Sequence, residues 1–266
     1  NLGIGRATAL AFANGGCRSL ALLDKNLSGA QETQRQVMDA IKKNDSNYEK
    51  AKIHTYEVDV TSDTSVASAF KSVKETFGRL DYSVQCAGIA LFTGPSSKTS
   101  LEHFELTNSI LYRGLWLCSR AALEIMDSQE LDSKAYPSAM IPEYRAQCGS
   151  IINLSSGLAL LAQHNSPIYS AAKAAVLGLT RADAVDYCSK RIRVNAVLPG
   201  LVDTPMINSN PEVHEVLKGT VKTTNPMARF ATADELADAI VFLASNKASY
   251  ITGASICVDG GTTARA

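Results

Sequence analysis

Tyr169 and Lys173 stand four residues apart at the start of an expected helix. At that spacing two side chains share one helix face, with Cβ atoms about 5–6 Å apart. A free phenol titrates near 10, too high for efficient proton exchange at neutral pH. A neighbouring ammonium favours the phenolate and lowers that value. The spacing alone is weak evidence, because Tyr48 and Lys52 share it in a polar stretch that reads as surface. The setting of Tyr169 differs. Ser155-Ser156-Gly157 closes the apolar run Ile151-Ile152-Asn153-Leu154, and Ser156 lies 13 residues before Tyr169. A serine hydroxyl at the end of a strand can hold a carbonyl oxygen while the phenol exchanges a proton with it. Adjacent serines otherwise satisfy turn backbone groups. The order strand, serine, tyrosine, lysine favours the catalytic reading of Ser156.

A second group opens the chain. Gly3 and Gly5 sit in Asn1-Leu2-Gly3-Ile4-Gly5-Arg6, ahead of an apolar-rich helix. Glycines there let a backbone approach a diphosphate at a helix N-terminus. Asp24 ends an apolar run 19 residues after Gly5. A carboxylate about 20 residues beyond the glycines suits a ribose 2′-hydroxyl and repels a 2′-phosphate. The pattern favours NAD and leaves NADP possible, with Lys25 the residue that could turn toward a phosphate.

Chemistry of this kind needs a scaffold that brings distant strand ends together. Buried-strand runs are expected at 19–24, 53–60, 80–86, 150–154, 193–198 and 254–258, separated by helical patterns at 29–43, 64–77, 101–126, 169–188 and 233–244. Val66, Phe70, Val73 and Phe77, for example, recur at helical spacing. Apolar strands alternating with helices predict an α/β fold, a Rossmann-type doubly wound parallel sheet in a single domain over 1–266. Residues 127–149 read as an insertion and 205–225 as a mobile substrate loop.

The chain has 266 residues with 26 basic and 26 acidic side chains, so its formal net charge is zero. That balance argues against a nucleic-acid binder, which needs a basic excess. No apolar run approaches the roughly 20 residues that span a bilayer, and no leader is visible, so no membrane association is expected. Six cysteines at wide spacings fit no zinc or redox motif. They read as small hydrophobes in a cytoplasmic protein without a metal.

With these elements placed, the chain resembles the short-chain dehydrogenase/reductase family over essentially its whole length. Gly3-Ile4-Gly5 matches the tail of the family's glycine motif, Asp59-Val60 its adenine-contacting pair, and Cys86-Ala87-Gly88 the end of its Asn-Asn-Ala-Gly motif. Ser156, Tyr169 and Lys173 match its catalytic serine, tyrosine and lysine in order and spacing. Asn195, Pro199-Gly200 and Thr204 match the segment after the sixth strand, and Val258-Asp259-Gly260-Gly261 the C-terminal end. The resemblance implies that Ser156 positions the substrate oxygen and Tyr169 is the general acid/base. Lys173 would hold a nicotinamide ribose and lower the Tyr169 pKa, and Val202 and Thr204 would hold the carboxamide. It also implies a small-molecule substrate and a homotetramer or homodimer packed through the long helices.

Three departures matter. Leu111 stands where the family's helix carries an Asn that holds a water beside the lysine, with Asn108 or Ser109 as candidate substitutes. Gln85 replaces the first Asn of Asn-Asn-Ala-Gly and is expected to make similar bonds between strands. In register, the motif's first glycine falls two residues before Asn1, so a first strand is expected upstream. The substrate pocket is expected from Leu91, Phe92, Gly157, Leu158 and Met206, with Ala159, Leu160 and Ile207 beside them. Their apolar character points to a hydrophobic or alicyclic secondary alcohol or ketone. His164 reads as surface. The expected reaction is hydride transfer with NAD. The alternatives are a redox-neutral isomerase, dehydratase or cyclase on the same scaffold, or a dinucleotide-binding protein without turnover.

Overall fold

A computed structural model describes residues 3–91, 94–131, 141–208 and 211–265. The elements run α1 (Ile4–Asn14), β1 (Ser19–Asp24), α2 (Leu27–Asn44), β2 (Lys52–Glu57), α3 (Asp63–Phe77), β3 (Tyr82–Gln85), α4 (Leu101–Asn108), α5 (Leu115–Asp127), β4 (Gly149–Leu154), α6 (Pro167–Tyr187), β5 (Ile192–Pro199), α7 (Pro205–Asn208), α8 (Pro211–Thr224), α9 (Ala233–Ala244) and β6 (Ser255–Val258). Local chemistry sets several ends. The Ser62 hydroxyl caps α3 by accepting from Ser65 N, and Gly78, with φ 77°, closes it in the left-handed region that glycine tolerates. Thr232 and Glu235 form a capping box that starts α9.

Every strand pairing is parallel. β1 pairs with β2, and β3, β4, β5 and β6 form a second sheet in that order. Alternation of side chains sends Ile151 to one face and Ile152 to the other. Ile151 packs with Val66 and Phe70 of α3 and Leu117 and Ile125 of α5. Ile152 packs with Leu236, Ile240 and Leu243 of α9. Both faces of the sheet are thus covered, and β4 and β5 are buried along their full length. That is the doubly wound arrangement expected.

β1 and β3 face each other across an opening, and both line one cavity of about 1940 Å³. Ordinary ligand pockets measure about 300–1,000 Å³. This one is larger because the opening between the two sheets joins the space above the strand ends.

Two expectations change, and a third falls partly outside the described residues. The long helix at 101–126 is interrupted, because Ser109–Gly114 winds as a single π-helical turn between α4 and α5. Residues 205–225 are not an open loop, since α7 and α8 occupy most of them. At 127–149 the described parts are the end of α5, a short turn at Glu143–Arg145 and the start of β4, and 132–140 lie outside the described residues.

Arg193 enters the core as a buried cation in β5. Its guanidinium donates to Gln147 Oε1 at 2.7 Å, to the carbonyls of Leu243, Ala244 and Ser245 at 2.8–3.0 Å, and to Ile251 O at 3.1 Å. It closes the C-terminal end of α9, where carbonyls lack helical partners. Burial lowers its pKa to about 10.

Candidate active site

The C-terminal end of β4 and the first turns of α6 place Ser156, Tyr169 and Lys173 on the cavity wall. Pro167 starts α6, where its missing N–H costs nothing. Two reciprocal bonds fix α6 to β4. Ser155 Oγ donates to Lys173 O at 2.8 Å, and Lys173 Nζ donates to Leu154 O at 2.8 Å. Ser156 Oγ accepts from Leu158 N at 3.2 Å and is close enough to the Tyr169 hydroxyl to favour its ionised form. The adjacent serines therefore divide the work: Ser155 holds the helix and Ser156 meets the phenol.

Burial raises the Tyr169 pKa, and the Ser156 hydroxyl offsets part of that rise. The net direction is opposite to the lowering expected from Lys173. The geometry explains it, because Lys173 Nζ lies 5.9 Å from the Tyr169 ring centroid and is bonded to Leu154 O. Tyr169 thus holds its proton at neutral pH, the form that can give one to a carbonyl oxygen. Burial pushes Lys173 down to about 8, and desolvation pushes the half-buried Cys86 thiol nearby up to about 12. Cys86 lines the cavity and had no assigned role in the sequence beyond its motif.

The glycine turn sits at the other end of the same cavity. Gly3, Ile4 and Gly5 line it at the start of α1, which has no side-chain cap and no acidic residue in its first turn. Its first N–H groups are therefore open to an anion. A Cβ on Gly3 would stand 3.1 Å from Thr204 Cγ2, so the turn touches the start of α7. Thr204 is buried and, with Val202, Pro199 and Gly200, lines the cavity between the two ends. Gly200 has a similar constraint, because a Cβ there would stand 2.9 Å from Asp259 Cα. We expect Gly200→Ala to lower stability by about 1–3 kcal/mol, read by urea denaturation, and a null result would show that β5 and β6 can separate at no cost.

Asp24 and Asp59 line the cavity near the glycine turn, with Val60, Ala87 and Gly88 beside them. Asp24 Oδ1 accepts from Asn26 N at 2.8 Å. Asp59 is held at about 2, chiefly by Lys25, whose Nζ donates at 2.7 Å, and by Thr61. Lys25 is thus turned toward Asp59. This set fits a nicotinamide dinucleotide: open helix N–H groups for a diphosphate, a carboxylate at the strand end for a ribose, and a path to Tyr169.

The departures have clear outcomes. Leu111 is buried, and its Cδ2 comes to 3.4 Å from where a Cβ on Gly88 would be. Asn108 does not replace it, since its amide donates to Phe104 O and it is absent from the cavity wall. The π-helical turn instead sets Ser109 and Ile110 on the wall. Gln85 donates to Ser83 Oγ at 2.9 Å along its own strand rather than between strands. Asn195 ties β5 to the turn before β6, donating to Ile251 O and accepting from Ala254 N.

Of the expected pocket residues, Leu91, Gly157, Leu158 and Ile207 line the cavity. Ala159 and Leu160 face a shallow outer hollow with the exposed His164. Phe92 and the Met206 side chain lie outside the described residues. The sequence reading missed the C-terminal turn, whose Thr262 and Arg265 complete the wall. Among the described residues no cluster of three His, Cys, Asp or Glu side chains could hold a metal, and no helix is long and apolar enough to cross a membrane.

Comparison with known proteins agrees with this geometry. A family model described as enoyl-(acyl carrier protein) reductase matches residues 1–263. The short-chain dehydrogenase fogB of Aspergillus ruber is 37% identical over 262 residues, covering 98% of this chain and 93% of that protein. The cis-4-hydroxycyclohexanecarboxylate dehydrogenase of Sinomonas cyclohexanicum is 36% identical over 262 residues, with 98% and 93% covered. The crystal structure of levodione reductase superposes with a TM-score of 0.85 at 30% identity, covering 100% of this chain and 95% of that one. Proteins of this family work with a nicotinamide dinucleotide on small molecules and commonly form oligomers. With a glycine turn, a parallel sheet and a Ser–Tyr–Lys wall in one cavity, the chain belongs to the short-chain dehydrogenase/reductase family, as an oxidoreductase of alcohols and ketones.

Proposed function

We propose that the protein transfers a hydride between NAD and a hydrophobic or alicyclic secondary alcohol or ketone. The observation that carries this reading is the placement of Ser156 and Tyr169 together on the wall of one cavity, one helical turn from the buried Lys173. Ser156 holds the substrate oxygen, and Tyr169 gives or takes its proton. Lys173 holds the ribose next to the nicotinamide. Gly3, Ile4 and Gly5 take the diphosphate, Asp24 the adenosine ribose, Asp59, Val60, Ala87 and Gly88 the adenine side, and Pro199, Gly200, Val202 and Thr204 the carboxamide side. A bound nicotinamide supplies the hydride donor or acceptor. Leu91, Leu158 and Ile207 give the substrate end an apolar wall. A relative with a ring substrate in its name, the hydroxycyclohexanecarboxylate dehydrogenase, supports an alicyclic class. A panel of cyclic alcohols and ketones, followed by reduced-nicotinamide absorbance, tests it. Absence of turnover on every member with both cofactors would overturn it.

NAD is favoured because Asp24 ends β1 at the cavity and Lys25 is turned to Asp59. We expect Asp24→Ala to lower the NAD-to-NADP ratio of kcat/KM by about 10- to 100-fold, the worth of a charge-assisted hydrogen bond. An unchanged ratio would show that another group reads the ribose.

Leu111 keeps a redox-neutral isomerase, dehydratase or cyclase as the second reading, because it leaves an apolar wall at the family's Asn position. Product formation without net change in nicotinamide absorbance would favour it. A homotetramer, or failing that a homodimer, is supported by Phe104, Tyr112 and Trp116 along α4–α5 and Val185 on α6, all exposed. Elution at monomer mass in gel filtration would exclude both. Six free cysteines suit a cytoplasmic location.

A further inference from the structure

Arg265 stands in the short turn Thr263–Arg265 and lines the cavity. Thr263 brings its Cγ2 to 3.6 Å from where a Cβ on Gly157 would be, so this turn abuts the residue after Ser156. Two residues of chain span at most about 7 Å, which puts Arg265 at the substrate end. Its Nη1 donates to Thr223 O at 3.1 Å and Thr224 O at 3.3 Å. Asn225 Nδ2 ties the same helix end to Asp259 O and Thr262 Oγ1. The turn and the end of α8 are therefore one unit that fixes the guanidinium at the cavity mouth.

The rest of the guanidinium has no matching acceptor. Among the described residues Nε and Nη2 carry no hydrogen bond and no carboxylate pairs with Arg265. The acids that line the cavity are engaged elsewhere. Asp59 pairs with Lys25 and Asp81 with Arg79, and Asp259 accepts from Gly261 N and Thr263 N. The two carbonyls under Nη1 carry only the partial negative charge of the end of α8 and leave a net positive charge on the guanidinium. Leu158, Leu161, Ile207 and Leu217 line the same cavity and are apolar. A cavity with apolar side chains in its wall and, at this end, a cation that pairs with no carboxylate of the described residues suits an apolar molecule with one anionic end. A guanidinium fork matches a carboxylate in two parallel bonds.

We propose that Arg265 receives the carboxylate of the substrate, which makes the substrate class hydroxy- or oxo-substituted alicyclic carboxylic acids. This rests on the reading of Ser156 and Tyr169 as the reacting end. Arg265 is a specificity residue and takes no part in proton or hydride transfer.

The test compares 4-hydroxycyclohexanecarboxylate with its methyl ester on the full chain with NAD. We expect the acid to be preferred in kcat/KM, and Arg265→Gln to reduce the acid-to-ester ratio about tenfold or more, through KM. Arg265→Lys keeps the charge without the fork and recovers part of the ratio. A role confined to closing α8 would move acid and ester together and leave the ratio alone, and that result overturns the proposal. Calorimetric binding of unreactive cyclohexanecarboxylate to the NAD-loaded protein separates the two readings. If neither alcohol reacts but this binding weakens about tenfold in Arg265→Gln, the anion site stands and the proposed reaction falls. If cyclohexanecarboxylate does not bind, or binds equally to both proteins, the anion site is wrong.

Discussion

Tyr169→Phe is expected to lower kcat about 10²- to 10⁴-fold in both directions, the range that a positioned general acid/base supplies. The change removes one oxygen and keeps the ring, so α6 and its bonds to β4 through Ser155 and Lys173 remain. Reduction needs a proton delivered to the carbonyl oxygen as the hydride arrives at carbon. Oxidation needs that proton removed as the hydride leaves. Phenylalanine can do neither, while Ser156 can still hold the oxygen. KM is therefore expected to change little. The pH dependence separates the two directions. Burial raises the Tyr169 pKa, so the protonated phenol persists through neutral pH. Reduction, which uses the phenol, is expected to stay level there, while oxidation, which uses the phenolate, rises with pH. In Tyr169→Phe the pH dependence of oxidation disappears with the activity. Full activity in this variant would remove Tyr169 from the mechanism.

Much of this site is legible in the sequence because its signals are local. Ser156 and Asp24 each end a short apolar run, and Tyr169 and Lys173 share a helix face by spacing alone. The parts that escape are those that depend on contacts between distant segments. The touch between Gly3 and Thr204 leaves no mark in either neighbourhood. Ser155 and Ser156 are alike as residues, and only the packing of α6 shows which one holds the helix. The π-helical turn at Ser109–Gly114 is invisible to helical periodicity because it adds width without breaking the apolar pattern. It puts Ser109 rather than Asn108 on the cavity wall, and Gly114 permits it, since a Cβ there would stand 2.9 Å from Val60 Cγ2. Arg193 at a strand start looks like a surface charge, yet it is buried among the carbonyls that end α9. Arg265 was passed over because it lies beyond the last strand, and only the fold returns it to Gly157 and α8.

Lys173→Met is expected to abolish most activity and yet stabilise the protein. Lys173 is 5% exposed and has no carboxylate beside it, so burial pushes its pKa from 10.5 to about 8. A lysine whose pKa falls on folding opposes folding wherever it is still charged. Below about pH 8 both states are protonated and the penalty is complete. Between about 8 and 10.5 the unfolded chain binds more protons than the folded one, so stability rises with pH by this group's share. The full penalty is roughly 3 kcal/mol, and methionine removes it with little change in volume. Loss of the bond to Leu154 O returns about 1–2 kcal/mol of that gain. Net stabilisation of roughly 1–2 kcal/mol is therefore expected at pH 7. The gain should shrink as pH approaches 10.5, because the folded-state lysine is then neutral and the unfolded one is losing its proton too. Thermal melts of both proteins at pH 7 and pH 10 without cofactor measure it, and an equal gap at both values would mean that the buried charge is not its source. Activity moves the other way. If Lys173 holds the ribose as proposed, its loss misplaces the nicotinamide beside Tyr169, and kcat/KM is expected to fall at least 10²-fold, about what misplacement of a reacting group costs. A protein that keeps a destabilising cation here does so for what the cation binds, and the opposite signs of the two measurements would show it.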